Sequence, residues 1–546
     1  MSAVKPRPAQ LRPVPPGRDL QRPQKEPLFE QIASFVSFFI YLLLIKSFFV
    51  PLFIIPTGSM AETLYGQHTT HTCPNCGVEY AVGLPLRPAF AEQSGSLVQC
   101  PNCRWEEFVD RGHEPTRPNP ARGEVDGVVR GSLRSRAGDR IMVHGWPYDL
   151  GGRFGPQRWD VVVFKVPTDG QTNYIKRLIG KPGEKVEIID GDIFINGQIA
   201  RKTPHAQRSL WFPYFNQDHP ARRPSAGGRF HPRWIALEAD NGWSGLETRQ
   251  PRFDGRGGRT GEIQFVTMPG PTREPGLTQD VYGYNGPFRA QTVTDVRVSS
   301  EVAVEGAAPD GFLELSVTKF ADRFFARLYG NGRVTLEHGQ DGGAQRDVWG
   351  QGQIPLADGP VELALSSVDY VVSVEVDGQP VIQSTADQYG ITPEQARARS
   401  QREATPRLAI TAHDVQATLS HLLIQRDVYY TSKLDPAGKF AGFGTQGHAM
   451  VLGPQDYFVL GDNSPASLDA RFSFAQPGQD PVGPHLVDAA QRGAYQLGTV
   501  QADQLIGPAF LVYWPGTDAL LPDEYLPKWL RLLNQLPGPG RIRWIH

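Results

Sequence analysis

Three groups of residues in this 546-residue chain have side chains and spacings that are suited to chemistry. Ser59 lies in the sequence Ile-Pro-Thr-Gly-Ser-Met over residues 55–60, Lys176 lies in Tyr-Ile-Lys-Arg over residues 174–177, and four cysteines lie between them. A serine hydroxyl is a poor nucleophile unless a neighbouring base takes its proton, and we identify no histidine in a sequence context typical of serine proteases. A lysine can be that base if apolar burial keeps its amine neutral.

The four cysteines form two Cys-Pro-Asn-Cys motifs separated by 23 residues, and their positions are Cys73, Cys76, Cys100 and Cys103. Paired motifs of this kind resemble a zinc ribbon, in which four thiolates close a tetrahedral structural zinc site. Four sulfur ligands leave no open coordination position, so a catalytic metal is not expected. Two disulfides are the alternative interpretation, because the membrane topology predicted below places the site outside the cytosol.

The first 49 residues contain a basic tail and an apolar segment. Residues 1–27 are rich in Pro, Arg and Lys and have no apolar period, which is typical of a disordered cytoplasmic tail. Residues 28–49 have charges only near their ends, Glu30 and Lys46, and are about long enough to cross a bilayer, so we predict one transmembrane helix. A cleavable signal peptide and a buried core helix are the alternatives. The basic tail predicts a cytoplasmic N-terminus and places the rest of the chain on the extracytoplasmic side.

The remainder of the chain is predicted to be mainly β. Residues 50–202 and 431–520 contain short apolar runs bounded by Pro and Gly, which are typical of strands, and residues 70–106 form the small cysteine-containing insert. Residues 203–430 end in period-two segments with Asn-Gly and Asp-Gly turns, which predict an antiparallel β-sandwich. The part of residues 203–430 that contains these period-two segments resembles the jelly-roll folds of laminin-G and concanavalin-like domains. We expect it to be an insertion that a short turn could replace without loss of activity.

Composition and the C-terminal segment complete the domain prediction. The formal net charge is -2, which makes nucleic acid an unexpected partner. Residues 521–546 include an amphipathic stretch that is too short to span a membrane. It is interpreted either as a helix packed on the domain or as an interfacial helix that enters the lipid headgroups.

Several sequence blocks, in this order after one membrane segment, resemble the conserved boxes of type I signal peptidases. They are the Ser-Met box at residues 55–60, Gly-Asp-Arg-Ile-Met-Val at 138–143, the blocks at 158–167 and 174–186, and the Gly-Asp-Asn box at 457–471. This resemblance implies a membrane-anchored Ser/Lys endopeptidase of the peptidase S26 type that cleaves signal peptides from exported preproteins after small-x-small sites. It covers only about 150 residues of the chain.

The resemblance assigns a role to each matching residue. Ser59 is the nucleophile, Lys176 is the general base, and the Thr57 hydroxyl with the Ser59 N–H forms the oxyanion hole. Ser467 orients the amine of Lys176. The structural ion pairs that support the site are formed by Arg177, Asp462, Asp469 and Arg471. The chain departs from the common pattern at Glu62, Ser464, Pro465, Ala466 and Ala470.

Substrate contacts and partners follow from the same resemblance. An extended signal peptide with an Ala-x-Ala-like site is expected to add as a β-strand beside the nucleophile. The residues expected to contact it are Ile55, Pro56, Met60, Leu64 and Tyr174. The expected partners are secretory preproteins, the lipid bilayer of the cytoplasmic membrane and the protein translocation machinery, and catalysis is expected to need no cofactor.

Two other functions stay open at this point. The chain could be another Ser/Lys processing peptidase, such as a self-cleaving repressor or a pilin-processing enzyme. It could also be an anchored protein that binds glycans or envelope polymer through the β-sandwich, with an inactive peptidase fold as scaffold. Because Ser59, Lys176 and Ser467 are all present, the sequence favours an active enzyme.

Overall fold

The predicted mainly β architecture is confirmed by the computed structural model. The residues that it describes are 28–44, 46, 49–84, 96–109, 128–129, 136–223, 232–266, 281–285, 291–355, 359–400, 407–432, 442–476, 478–516 and 542–545. The predicted tail over residues 1–27 and most of the predicted C-terminal segment over residues 521–546 lie outside these ranges. The described strands form six sheets, and antiparallel pairing prevails in them.

Helices are few and mostly short in the described ranges. The α-helices are Leu28–Leu44, Pro147–Leu150, Pro204–Leu210, Pro393–Ser400 and Val487–Gln491. The 3-10 turns are Gly152–Phe154, Gly283–Asn285, Ser464–Ala466, Ala470–Phe472, Pro484–Leu486 and Ala502–Gln504.

The helix Leu28–Leu44 belongs to a unit that ends at Val50, and the rest of the chain from Pro51 forms a second unit. This helix has 17 residues, and large apolar side chains such as those of Phe35 and Tyr41 are exposed along it. In the described part of the chain, no helix is both long and apolar enough to cross a membrane. The transmembrane span predicted over residues 28–49 is therefore not confirmed.

An eight-stranded sheet carries the residues of the predicted Ser/Lys chemistry. Its strands lie in the order Leu52–Ile54, Arg140–Val143, Leu505–Trp514, Val161–Lys165, Asn173–Gly180, Asp456–Leu460 and Val500–Gln501, with Arg543–Trp544 paired to Leu505–Trp514. Strand Val161–Lys165 is buried on both faces as far as Phe164, which explains its continuous apolar sequence. Its register pairs Val162 with Lys176, so the lysine lies in the middle of the sheet.

Three smaller sheets adjoin this one in sequence. A four-stranded sheet has the order Gln198–Ile199, Asp192–Ile195, Lys185–Ile189 and Met450–Val451. The cysteine motifs are flanked by the hairpin His68–Thr72 with Glu79–Gly83, and by the strands Ser96–Gln99, Glu106–Val109 and Val128–Val129. The last two of these strands are parallel to each other.

Two large antiparallel sheets lie between residues 212 and 426. One has the order Trp243–Ser244, Arg252–Asp254, Gln416–Arg426, Val296–Glu305, Val361–Val368, Val371–Val376 and Gln379–Gln383, with Phe212–Asn216 paired to Gln416–Arg426. The other has the order Trp234–Ala236, Thr260–Phe265, Leu408–His413, Phe312–Lys319, Asp322–Tyr329, Arg333–Gln340 and Arg346–Gln353. Alternate residues of both, such as Val298, Leu365 and Leu315, meet in one apolar core.

A buried charge network links this sandwich to the strands that precede it. Lys202 Nζ lies 2.6 Å from an Asp369 oxygen and 2.7 Å from an Asp427 oxygen. Lys319, on the second large sheet, forms ion pairs with Asp192 and Asp295. Buried charges are tolerated when they are paired, so the two lysines fix the position of the sandwich relative to residues 192–202.

Candidate active site

Ser59 and Lys176, which are 117 residues apart in sequence, meet in the structure. Lys176 Nζ lies 2.6 Å from Ser59 Oγ, and it also donates to the Ile175 carbonyl at 3.0 Å. Both side chains are buried, with 3% of Lys176 exposed. The distance is that of a direct hydrogen bond, so a proton can pass between the two atoms without an intervening water.

Burial lowers the pKa of Lys176 to about 8, because an ammonium group is poorly solvated among apolar side chains. The carboxylates of Asp469 and Asp462 oppose this shift, and the Arg471 guanidinium adds to it. A lysine with this pKa is partly neutral near neutral pH, whereas an ordinary lysine is almost wholly charged. The centre of the Tyr174 ring lies 5.5 Å from Lys176 Nζ, so this ring is one of the groups that surround the amine.

The backbone of the nucleophile is held by Asn463. Its N–H donates to the Ser59 carbonyl at 3.1 Å, and its side-chain amide donates to the Gly58 carbonyl at 2.8 Å. The Asn463 side chain also exchanges hydrogen bonds with Asn285 at 2.6 and 2.8 Å. Asn463 stands in the Gly-Asp-Asn box, yet the sequence assigned it no role.

Ser467 is near the dyad but does not contact the lysine amine. Its Oγ is buried and makes no hydrogen bond within the described residues, and its role in orienting Lys176 stays a prediction. A methyl group on Gly461 would lie 2.2 Å from Ser467 Oγ and 2.5 Å from the Ser59 carbonyl oxygen. Gly461 therefore allows these two serines to approach each other.

Two buried ion pairs lie behind the dyad, between the residues predicted to support it. Arg177 donates to both oxygens of Asp462 at 2.9 and 2.8 Å, and neither side chain is exposed. Arg471 donates to both oxygens of Asp469 at 2.9 and 2.8 Å. Asp469 also accepts from the Gly461 N–H at 3.0 Å, which ties this pair to the turn beside the nucleophile.

The residues expected to contact substrate divide into two groups. Ile55, Met60 and Leu64 are at most 2% exposed and belong to an apolar core, so they are unavailable to a peptide in this structure. Pro56 is exposed and Tyr174 is half-buried. The sequence could not separate the groups, because apolar residues beside a nucleophile suit both a core and a pocket. Thr57, the predicted oxyanion donor, is exposed.

The segment at residues 281–285 contacts the turn that carries Ser59, and no motif in the sequence predicted this contact. The Tyr282 hydroxyl donates to the Asp462 carbonyl at 3.2 Å, and the Tyr284 hydroxyl donates to the Gln67 carbonyl at 2.9 Å. The Tyr284 ring packs so closely on Gly58 that a methyl group there would lie 2.0 Å from the ring. A Gly-Tyr-Asn sequence in a Gly/Pro-rich region carries no periodic signal that could have revealed these contacts.

Glu62, where the sequence departs from the common pattern, is bound by the same segment. Its carboxyl accepts a hydrogen bond from the Gly283 N–H. Burial raises the pKa of Glu62, and the nearby Arg426 guanidinium opposes that rise. Both partners lie between residues 203 and 430, so this region takes part in positioning the turn that carries Ser59.

The four cysteines form one buried cluster. Cys73 Sγ lies 3.5 Å from Cys103 Sγ, and Cys76 Sγ lies 3.6 Å from Cys100 Sγ. All four sulfurs lie within 4.8 Å of one another. A disulfide needs about 2.05 Å between sulfurs, whereas four sulfurs at about 2.3 Å from a tetrahedral zinc lie roughly 3.8 Å apart. The donor set and spacing therefore fit a structural zinc ion.

Each cysteine motif has the same backbone turn. Gly77 N–H donates to the Cys73 carbonyl at 2.9 Å, and Arg104 N–H donates to the Cys100 carbonyl at 3.0 Å. The asparagines of the motifs bind the segment that follows strand Phe212–Asn216. Asn102 donates to the His219 carbonyl at 2.9 Å, and Asn75 donates to the Arg223 carbonyl at 3.1 Å.

Two buried arginines lie beside the cysteine cluster. Arg104 is 2% exposed, and its guanidinium lies over the Tyr214 ring with no hydrogen-bond partner in the described part of the chain. Burial lowers the pKa of Arg233 to about 10, and the positive charge of Arg104 adds to this effect. Zinc with four thiolates has a net charge of -2, which would balance these two cations. Two disulfides would supply no such negative charge.

A comparison with family sequence models indicates the class of protein to which this site belongs. Residues 132–219, which include Lys176, match the sequence model of a family described as signal peptidase, peptidase S26. Peptidases of this family are serine peptidases, so the match supports that class for this part of the chain.

The particular relatives are signal peptidases I. Those of Rickettsia typhi and Rickettsia prowazekii are each 50% identical to this chain over 48 residues, which is 9% of this chain and 18% of the relative. The chain thus matches less than a fifth of the length of these curated relatives. The matches support a signal peptidase of type I, and they leave the substrates and the mechanism open.

Solved structures with some similarity include a carbohydrate binding module and an exoplasmic/lumenal domain. The carbohydrate binding module CBM66 from Bacillus subtilis is 12% identical, with a TM-score of 0.23, over 35% of this chain and 95% of that chain. The exoplasmic/lumenal domain of VIP36 is 11% identical, with a TM-score of 0.25, over 40% of this chain and 92% of that chain.

Proposed function

We propose that this protein is a type I signal peptidase, an endopeptidase that removes signal peptides from exported preproteins by a Ser59/Lys176 mechanism. The observation that carries the proposal is the 2.6 Å contact between Ser59 Oγ and a buried Lys176 Nζ whose pKa is lowered to about 8. A buried lysine beside a serine hydroxyl has few structural uses. The hydroxyl offers the lysine no counter-charge, and burying an unpaired lysine is costly in free energy.

In the proposed reaction, neutral Lys176 accepts the proton of Ser59 Oγ while this oxygen attacks the carbonyl carbon of the scissile peptide bond. The lysine then gives the proton to the leaving nitrogen, and the acyl-enzyme forms as the C–N bond breaks. A water molecule, deprotonated by the same amine, attacks the ester carbonyl carbon. The lysine returns this proton to Ser59 Oγ as the ester C–O bond breaks, and the signal peptide leaves with a C-terminal carboxylate. The Ser59 N–H and the exposed Thr57 hydroxyl stabilise the oxyanion.

An extended substrate would lie along the strand Asn173–Gly180. This strand pairs with Val161–Lys165 over residues 173–177, but on its other side Asp456–Leu460 pairs only with residues 177–180. Among the described strands, none pairs with the second edge at residues 173–176, next to Lys176. A peptide added here would place its carbonyl groups near Ser59, with Pro56 and Tyr174 beside its side chains.

Membrane attachment, preprotein partners and the metal complete the proposal. We assign residues 28–49 as a single-pass anchor with a cytoplasmic N-terminus, because the apolar side chains of helix Leu28–Leu44 are exposed. The catalytic part then acts on the extracytoplasmic side of the cytoplasmic membrane, where preproteins leave the translocation machinery. Zinc at Cys73, Cys76, Cys100 and Cys103 has a structural role and supplies no catalytic step.

The direct test uses Ser59→Ala and Lys176→Ala in detergent-solubilised protein with a preprotein substrate. Both variants are expected to lower kcat/KM at least about a thousandfold, because nucleophile and base act as one unit. Lys165→Ala is the matched control, since this exposed lysine ends the neighbouring strand. Cleavage at the wild-type rate by either dyad variant, with circular dichroism showing an intact fold, contradicts the mechanism.

A further inference from the structure

A polar row crosses the outer face of one sandwich sheet. The strand register places five residues directly beside one another on five adjacent strands, and they are Gln425, Arg297, Ser366, Ser373 and Gln383. The neighbours of these residues along each strand, such as Val298 and Leu365, belong to the apolar core, so the row faces away from it. Adjacent strands lie about 4.8 Å apart, so the row is roughly 19 Å long.

The row is the floor of a cavity of about 590 Å³. Its wall is formed by the helix Pro204–Leu210 and its flanks, which contribute Arg201, Gln207, Arg208 and Trp211. A volume of this size holds a small ligand of several rings. The cavity is separate from the Ser59/Lys176 site, since none of the dyad residues lines it.

The hydrogen-bonding groups on the floor are fixed in place by one another. Arg297 donates to Gln425 at 3.1 Å and to Glu375 at 3.0 Å, and Gln383 donates to Ser373 at 3.2 Å. Such a network holds amide and hydroxyl groups ready for a ligand that is itself rich in hydroxyl groups. The half-buried Trp211 adds a flat apolar surface, which suits the face of a sugar ring.

Two exposed arginines at the wall of the cavity favour a ligand with acidic groups at that wall. Arg297 is paired with Glu362 and Glu375, and Lys202 is paired with Asp369 and Asp427, so four carboxylates surround these two cations and neither cation is free to bind a ligand. Arg201 and Arg208 are exposed at the wall, and no carboxylate in the described part of the chain forms an ion pair with either. Two unbalanced guanidinium groups can each bind a carboxylate or sulfate in a bidentate manner.

We propose that this cavity binds an acidic oligosaccharide, with sugar hydroxyls on the row Gln425 to Gln383, a ring face against Trp211, and acidic groups at Arg201 and Arg208. The proposal does not rest on the proposed peptidase function. It gives the sandwich a ligand of its own, which would hold the protein at an acidic glycan in its compartment.

The test is isothermal titration of the purified full-length protein with trigalacturonate, with its neutral methyl ester, and with a heparin-derived tetrasaccharide. The wild type is expected to bind at least one acidic oligosaccharide with a Kd below about 1 mM, and the ester at least tenfold more weakly. The double variant Arg201→Gln, Arg208→Gln should bind that acidic ligand at least tenfold more weakly, while Gln383→Ala should weaken acidic and neutral ligands alike.

The control is Gln351→Ala, which removes an exposed glutamine from the strand Arg346–Gln353 of the opposite sheet and should leave binding unchanged. Preprotein cleavage by the cavity variants should equal that of the wild type. The proposal is overturned if neither acidic oligosaccharide binds at millimolar concentration. It is also overturned if binding is unaffected by both the arginine double substitution and Gln383→Ala.

Discussion

Lys176 shows how one residue acquires its chemistry from its surroundings. In the sequence it is a strand lysine between Ile175 and Arg177, and only the family resemblance distinguishes it from a solvated lysine. In the structure, it pairs with Val162 of the neighbouring strand, its amine lies against Ser59, and 3% of its surface remains exposed. Burial thereby converts an ordinary cation into a base that is available near pH 8.

The pH dependence of cleavage should follow this ionisation. The protonated lysine cannot accept a proton, so kcat/KM on a soluble Ala-x-Ala peptide should fall about tenfold per pH unit below the pKa of about 8 and level off above it. A pH profile from 6 to 10 in the free enzyme measures this limb. A limb near pH 6.5 that disappears in His144→Gln would instead assign the base to a histidine.

For single residues, the sequence predicted the contacts between side chains that stand in recognisable motifs. It did not predict contacts of side chains to which no motif assigned a role. It placed Ser59 beside Lys176 and Arg177 beside Asp462. It did not predict that Asn463 holds the Ser59 carbonyl, because an amide in a turn is usually interpreted as a turn former. Nor did it predict that Ser467 Oγ would make no contact with the lysine, since hydrogen-bond geometry depends on distances that no spacing specifies.

The turn after strand Asp456–Leu460 brings several of these residues together. Gly461 begins it, and the space above its α-carbon is filled by Ser467 Oγ and the Ser59 carbonyl oxygen. The same glycine donates its N–H to Asp469. Gly461 therefore lies between Ser59 and the Asp469–Arg471 ion pair, at a position with no room for a side chain.

Gly461→Ala is expected to lower kcat by at least about tenfold and the free energy of unfolding by about 1–3 kcal/mol, because its methyl group would lie 2.2 Å from Ser467 Oγ. Gly359→Ala is the control, since nothing lies within 4 Å of the added methyl group. Peptide kinetics and urea denaturation measure the two effects. Wild-type values for both in Gly461→Ala would show that the turn is not packed in this way.

The cysteine motifs make a second prediction about an element. Purified protein should contain about one zinc per chain, and Cys73→Ser with Cys100→Ser should remove it and lower the melting temperature. Arg104→Met should weaken zinc retention roughly tenfold against a chelator, because a buried counter-charge is lost. Arg222→Met is the control, since this side chain is exposed on the adjoining segment. Mass spectrometry that finds two disulfides and no metal would refute the zinc assignment.

Strands with a clear period were predictable, and short strands were not. Alternating sequences predicted strands such as Val296–Glu305 and Val371–Val376 almost to the residue. The strands Trp234–Ala236 and Arg252–Asp254 lie in sequence that seemed irregular, because three residues are too few to show a period. Pairing with a long neighbour stabilises them, and such pairing cannot be read from local sequence.

At the scale of the whole molecule, the region at residues 203–430 is more than an added lobe. Asn285 binds Asn463, Tyr284 packs on Gly58, and Tyr282 binds the Asp462 carbonyl. The sequence led us to expect that a short turn could replace this region without loss of activity. The contacts argue otherwise, because the deletion would remove three groups that hold the nucleophile turn.

Replacing residues 203–430 by a Gly/Ser turn should therefore lower kcat/KM strongly even if the remaining chain folds. Asn285→Leu is a smaller change that removes only the hydrogen bonds between Asn285 and Asn463. It should reduce kcat about tenfold, as expected for the loss of one or two buried hydrogen bonds. Asn331→Ala, at an exposed turn of the sandwich, is the control. Full activity in both the deletion and Asn285→Leu would restore the interpretation of a dispensable insertion.

The turn that carries Ser59 is bound by groups from the whole length of the chain, and this affects the protein during its own synthesis. Lys176 and Asn463 bind it directly, Asn285 binds Asn463, and the Arg543 guanidinium donates to the Thr63 carbonyl at 2.5 Å. Ser59 is translated before all of these partners, and Arg543 leaves the ribosome long after Lys176. A chain made only as far as a residue before Arg543 should thus be unable to cut peptides at the full rate, because one support of this turn has not yet been synthesised.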